Sequence, residues 1–441
     1  MVPVAPAPHV QQSVGPAPAP TPMAGGQLPV DPAVGAESMV PAEKVTFDEA
    51  LRRARANNAN ARIAVDEIAR AEALVREAQA AWLPTLTGVG NYTRLDGARV
   101  SSPAAGNATL LPANSLNLSV NLTVPLFSPR AWLASKRAKV TADSYRFNEA
   151  DLQRQIAVST GRAYLTVVAA HRQLQVAARA VTNAKDHDDY AQQRLKGGLG
   201  NRLDAIRSAQ DLATTIVNLR NQLVALSRAR EALGALLAVD APVDAVDIPS
   251  LPAPPGLAAS LDLAKSRADV LAAEARTQTS DALVNDTWAL YAPVLNGSFQ
   301  PFYQDPATTT IPSTGWAAML VLTVPFYDGG LRYGQVREYK ALANESHELL
   351  GAQLRQATSE VRAAFEALVH DDEALDAARS ASKLAGQALK LAEDAFHGGA
   401  VTSLEVLDAG RVMRDVESAE ATAEDNSRQA RLELLAAAGK L

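Results

Sequence analysis

The chain has no cysteine among its 441 residues. That excludes disulfides, thiolate chemistry, cysteine-ligated zinc or iron–sulfur sites, and a lipid anchor on an N-terminal cysteine. Aromatic residues are also scarce, at 5%, although 47% of the chain is hydrophobic. An apolar content carried by alanine and leucine reads better as long helices than as the three globular cores that length alone suggests. Long apolar runs are missing too. The most apolar stretch, Gly315–Tyr327, falls short of the roughly 18 to 20 residues of a membrane-spanning helix. This excludes an α-helical membrane protein but not a β-barrel, whose strands need only about 9 to 11 alternating residues. A basic, then apolar, then cleavable leader is not visible at the start, and nothing about location is concluded from that. The net charge of -6 argues against nucleic acid as a partner.

What is present falls into two copies. Residues 1–45 are a Pro-rich, disordered or extended segment. A repeat follows over 46–237, then a linker, 238–259, and a second repeat over 260–438. LTVPLF at Leu122–Phe127 returns as LTVPFY at Leu322–Tyr327, WLPTL near Pro84 as YAPVL near Pro293, and RLKGGLGNRLDAI at Arg194–Ile206 as AFHGGAVTSLEVL at Ala395–Leu407. In each copy the pattern predicts a helix, two strands, a very long helix, a Gly-Gly turn and a return helix. The first helix runs from the cap Thr46, with Glu49 in capping-box position, to about Ala81. Its counterpart runs from Ser260 to about Tyr291. The long helices span about 129–196 and 331–396, on the order of 100 Å each. The return helices span 203–237 and 402–438. Leu212, Ile216, Leu219, Leu223, Leu226 and Leu233 are spaced as a coiled-coil seam. Placed end to end, two shorter helices match one long one, so each chain makes two continuous and two broken helical columns.

The strands are predicted at 85–95, 115–124, 294–303 and 316–324. In SLNLSVNLTV, from Ser115, Leu116, Leu118, Val120, Leu122 and Val124 share one face, while Asn117, Ser119, Asn121 and Thr123 share the other. Gly97–Pro112 reads as a polar loop. Tyr92, Tyr303, Trp316 and Tyr327 are placed to lie at membrane interfaces. Four strands cannot close a barrel, and an open sheet edge is excluded from lipid. Spanning a membrane therefore requires several copies, and three would supply twelve strands.

Catalytic chemistry finds little support. None of the six histidines falls in a metal motif. His187 with Asp188 and Asp189, and His370 with Asp371 and Asp372, read as solvated helix faces. The GVG at Gly88–Gly90 lacks the dinucleotide fingerprint. No cofactor is implied.

The duplicated half, LTVPLF/LTVPFY, GGLGNRLDAI and above all GGAVTSLEVLDA make the chain resemble the TolC-like outer-membrane efflux proteins over residues 46–438. The resemblance implies a mixed α/β, mostly helical fold. It would be a homotrimer with a 12-stranded transmembrane β-barrel in outer-membrane lipid, four strands per chain. A long periplasmic coiled-coil tunnel would continue it, with the linker at its equator. It implies a passive exit duct in a Gram-negative outer membrane, not an enzyme. The duct would be fed by an inner-membrane RND or ABC transporter through a periplasmic adaptor protein. Gly197, Gly198 and Gly200 would turn the first tip, and Gly398 and Gly399, followed by Val401 and Thr402, the second. Asp204 matches a carboxylate that helps hold the entrance shut. Val401 stands near the place where the family often has the receiving arginine, leaving Arg202 or Arg207 to substitute. Glu405 and Asp408, three apart on one helix face, match positions that form cation-attracting acidic rings. The competing reading, a soluble coiled-coil structural or adaptor protein, explains the helices but not the alternating strands. The cargo stays open among drugs, metals and proteins.

Overall fold

The structure is a computed structural model and describes residues 41–100, 109–308 and 311–440. The Pro-rich reading of residues 1–40 lies outside the described residues. In chain order the strands are β1 (Glu43–Val45), β2 (Thr85–Arg94), β3 (Arg99–Val100), β4 (Thr109–Leu111), β5 (Asn114–Phe127), β6 (Val243–Ala245), β7 (Val294–Asp305) and β8 (Thr314–Thr323). The helices are α1 (Phe47–Asn57), α2 (Ala59–Ala80), α3 (Pro129–Lys196), α4 (Arg202–Leu236), α5 (Leu257–Ala264), α6 (Ala268–Asn285), α7 (Leu331–His397) and α8 (Ser403–Ala437).

The helix expected over 46–81 starts at its cap, with Thr46 Oγ1 accepting from Glu49 N–H, but it breaks at Asn58. There the backbone turns to ψ 133°. Asn58 Oδ1 opens α2 by accepting from Asn60 N–H. Its Nδ2 donates to Leu236 O, at the end of α4. A short amide side chain competes with helical hydrogen bonding in this way, and here it stacks α2 on α4. The counterpart helix also differs from expectation. It begins at Leu257, and Ser260 lies buried inside it, its hydroxyl donating to Pro255 O. It breaks at Lys265–Arg267 and ends in a 3-10 turn, Asp286–Leu290. Arg267, almost fully buried, pairs with Asp269 and Glu360 and donates to Ala437 O. That junction stacks α6 on α8.

The linker is not wholly irregular. β6 lies within it and pairs in parallel with β1, so residues 43–45 are ordered strand. Within the loop expected over 97–112, β3 and β4 pair antiparallel. β2, β5, β7 and β8 form one antiparallel sheet in the order β2-β5-β7-β8.

The long helices have 68 and 67 residues. α3 packs on α2 and α4 along one side and on α6 and α8 along the other, while α7 packs on α6 and α8. The columns therefore run α2/α4, α3, α6/α8, α7. Their buried stripes are rich in small residues, such as Ala157, Ala177, Ala180 and Ala184 on α3 and Ala205, Ser208 and Ala229 on α4. Among the six expected seam residues of α4, Leu226 and Leu233 are buried, and the other four lie half-buried beside the stripe. Larger apolar side chains concentrate at the column joints. One cluster gathers Phe47, Tyr164, Leu165, Leu233 and Leu432 under β1 and β6. The other gathers Val270, Val361, Leu368 and Leu434 at the α5–α6 break.

Candidate functional site: sheet wall and hairpin tips

The sheet's two faces differ in chemistry and curvature. Along β5, Leu116, Leu118 and Val120 are exposed, while Asn117, Ser119 and Asn121 between them are half-buried. The polar face is therefore the hollow side. Cross-strand register carries the apolar face across the sheet: Leu86 opposes Leu122, which opposes Phe299, which opposes Ala318. The mainly polar face carries Thr87, Asn91, Asn117, Asn121, Gln300 and Gln304, with Val89 on β2, Phe302 on β7 and Met319 and Val321 on β8. At 3.3 Å per residue and a tilt near 40°, the 14 residues of β5 cover roughly 35 Å, enough for a bilayer core. Tyr92, Tyr303 and Trp316 cluster at the strand ends far from the helices. Trp82, Trp132, Trp288 and Tyr327 sit exposed at the strand-to-helix passages. Aromatics at both rims are the pattern of a barrel's interface girdles.

At the other end of the molecule, α3–α4 and α7–α8 are hairpins with matching turns. Gly198 N–H donates to Leu195 O and Leu199 N–H to Arg194 O; Gly399 N–H donates to Phe396 O and Ala400 N–H to Ala395 O. These are paired Schellman motifs. Gly198 and Gly399 have φ of 73° and 74°, where only glycine rests without strain. Gly197 and Gly398 stay at negative φ and do not use that freedom.

The carboxylates expected at the entrance have local partners. Asn201, not Asp204, caps α4, with Oδ1 accepting from Leu203 N–H at 3.0 Å. Asp204 lies half-buried in the first turn, and among the described residues neither Arg202 nor Arg207 forms an ion pair with it. Val401 is half-buried. Glu405 completes a capping box: Thr402 N–H donates to its Oε2 at 2.8 Å. Asp408 is exposed and pairs with Arg411 at 3.1 Å.

Other residues join the two hairpins. Arg414 on α8 makes a two-pronged pair with Asp211 on α4, at 2.8 and 3.1 Å. His187 is not on a solvated face. It is half-buried on α3, its Nε2 is 3.2 Å from Ser403 Oγ on α8, and its ring lies 5.6 Å from Phe396 on α7. Its place among Ala180, Ala184 and Ala191, at steps of three and four residues, was the available signal. His370 is exposed as expected, but Asp372 beside it accepts from Ser427 at 2.5 Å, tying α7 to α8.

A model of the outer membrane efflux protein family matches residues 50–239 and 260–440, both halves in register with the duplication. The chain belongs to the outer membrane efflux protein family. It is an outer-membrane channel component of efflux and secretion systems, a non-catalytic conduit with a long periplasmic helical region. The soluble-adaptor reading is thereby set aside. Solved structures share the fold. A membrane protein from Pseudomonas aeruginosa superposes with a TM-score of 0.79 at 22% identity, over 89% of this chain and 90% of that one. The outer membrane protein VceC from Vibrio cholerae gives 0.75 at 18%, over 89% and 96%. The Neisseria gonorrhoeae MtrE outer membrane channel, in its open state, gives 0.74 at 19%, over 92% and 93%. No curated protein sequence matches significantly. Among the described residues of this efflux protein, no helix is long and apolar enough to cross a membrane. The sheet is the element whose apolar face suits lipid.

Proposed function

We propose that three copies close into one exit duct, a 12-stranded barrel continued by a tunnel of twelve helical columns. The observation that carries this is a shared order. Strands β2-β5-β7-β8 and columns α2/α4, α3, α6/α8, α7 run around the protomer in the same sequence. The unpaired strand edges and the unpartnered helical flanks therefore fall on the same two sides. A rotation about the strand direction sets β8 against the next copy's β2, and α7 against its α2 and α4. This is a head-to-tail contact that closes as a ring. β2 and β8 run in opposite directions, so the new pair is antiparallel like the others. The sheet's hollow polar face then lines a wet lumen.

In this reading the hairpin tips form the periplasmic entrance and meet the adaptor, through which an inner-membrane RND or ABC transporter delivers cargo. Three copies of Glu405 and Asp408 place six carboxylates around it. Each keeps oxygen lone pairs free beside its cap or its arginine, and crowding of like charge favours cations there. The Asp211–Arg414 pair holds α4 against α8 near that constriction, with Asp204 in the first turn of α4 beside it. The test is extraction and reconstitution. The protein is expected to need detergent, to run as a trimer and to form cation-selective pores in planar bilayers. Glu405→Ala with Asp408→Ala is expected to weaken selectivity and block by divalent cations. A detergent-free monomer that forms no pores would overturn the duct, and unchanged selectivity and block would overturn the acidic ring alone.

A further inference from the structure

We propose that His187 is a proton-operated clasp between the two hairpins, neutral and packed when the tips are together and protonated when they separate. The proposal rests on the tips being the channel's constriction. Four helices converge on this imidazole. From α3 itself come Asp188, held by Ser208 Oγ at 2.7 Å, and Arg194, whose guanidinium lies 5.1 Å from the Phe396 ring. α4 supplies Asp204 and Asp211, the latter already engaged by Arg414. α7 supplies Phe396, His397 and Glu393. α8 supplies Ser403, Arg414 and Glu417. Below the ring a cavity of about 40 Å³ opens between α3, α4, α7 and α8, room for little more than one water.

A neutral imidazole fits this setting. It lies over an apolar ring, exchanges one hydrogen bond with a buried hydroxyl, and faces the first turn of α8. An imidazolium does not fit. It loses hydration, faces the positive end of the α8 dipole and has His397 nearby. The aspartates favour the cation, but Asp211 and Asp188 are committed to Arg414 and Ser208. Burial pushes His187 below its ordinary value, and the aspartates only partly restore it. The sign follows. The packed tips bind the proton less well than the separated tips, so the clasp holds at neutral pH. It weakens as pH falls through the ordinary histidine value, near 6.5, toward the depressed one. Parting α3 from α8 hydrates the ring and takes up the proton. Burial also pushes the Glu393 carboxyl up.

The experiment is single-channel recording of the reconstituted wild-type protein between pH 7.5 and 5, beside His187→Gln and His187→Phe. Open probability of the wild type is expected to rise with acid, by up to about tenfold for each unit separating the two histidine values. Both variants are expected to lose that rise, Gln keeping the link to Ser403 and Phe the packing. Trimer mobility on native gels checks that each variant assembles. Should one fail, the other carries the test. An acid response that persists without His187, or a wild type that conducts without any acid response, overturns the clasp. Absence of conductance at every pH overturns the duct reading instead.

Discussion

Gly200 leaves no room for a methyl group. A Cβ there would lie 2.6 Å from Leu195 N and 2.8 Å from Arg194 C, backbone atoms that cannot rotate away. Gly200→Ala is expected to destabilise the first tip by about 1–3 kcal/mol, read as faster hydrogen exchange around residues 193–203. Gly88→Ala, which meets nothing within 4 Å, serves as the silent control. Asp425 on α8 works in the opposite direction. Burial raises its carboxyl to about 6, against a hydrogen bond from Gln429 and the charge of Arg428. A raised acid binds its proton better folded than unfolded. The penalty is therefore full above pH 6 and fades as pH falls toward the ordinary carboxylate value. Asp425→Asn is expected to raise stability at pH 7 by on the order of 1 kcal/mol. It should also flatten the pH dependence of thermal unfolding between about pH 4 and 6.

At the scale of elements, Tyr164 ties the β1–β6 strand pair to α3, beside the Asp244 links to His171 and Arg230. Tyr164 is fully buried, and its hydroxyl donates to the Asp247 carboxylate and lies 3.2 Å from Val45 O. Asp247 N–H donates back at 3.3 Å. Burial and the Asp247 carboxylate hold the phenol protonated far above neutral pH. Tyr164→Phe removes this hydroxyl's hydrogen bonds, a cost of about 0.5–1.5 kcal/mol. It is expected to loosen β1 and β6 while α3 stays helical, seen as protease cleavage near residues 43–48 and 243–248 with unchanged circular dichroism. Neither the strand pair nor this tyrosine's role was legible in the sequence. Three-residue strands carry no periodicity, and the contact joins residues far apart along the chain. The long helices were legible because proline, glycine and an alanine stripe mark their ends and faces over more than 60 residues. The breaks at Asn58 and Lys265–Arg267 were not, because end-to-end stacking on another helix decides them. At the tips the turns showed through their glycines. The pairing of His187 with Ser403 did not, since it crosses from one repeat to the other.

At the scale of the whole molecule, α7 shows what a single chain leaves unfinished. Its inward stripe, including Ala357, Val361, Ala364 and Leu368, is buried against α6 and α8. Leu384 and Leu391, one heptad apart, stay 65% and 69% exposed. On α4, Leu203 and Ile206 are 48% and 56% exposed near the other tip. In the proposed ring α7 lies antiparallel to the next copy's α4, as α8 lies against α3. That brings Leu391 near the height of Ile206 just above the entrance, with Leu384 about 10 Å further along α7. Burying Leu384 and Leu391 contributes about 1.5–3 kcal/mol each per interface, and a charge in their place must be desolvated without a partner. Leu384→Glu with Leu391→Glu is therefore expected to shift purified protein from trimer toward monomer in detergent, measured by light scattering. The tip-distal pair Ile63→Glu and Leu74→Glu, exposed on one face of α2, tests the upper half of the same seam. A trimer that persists in both double variants would place the helical contact between copies elsewhere, even if the strands still close the barrel.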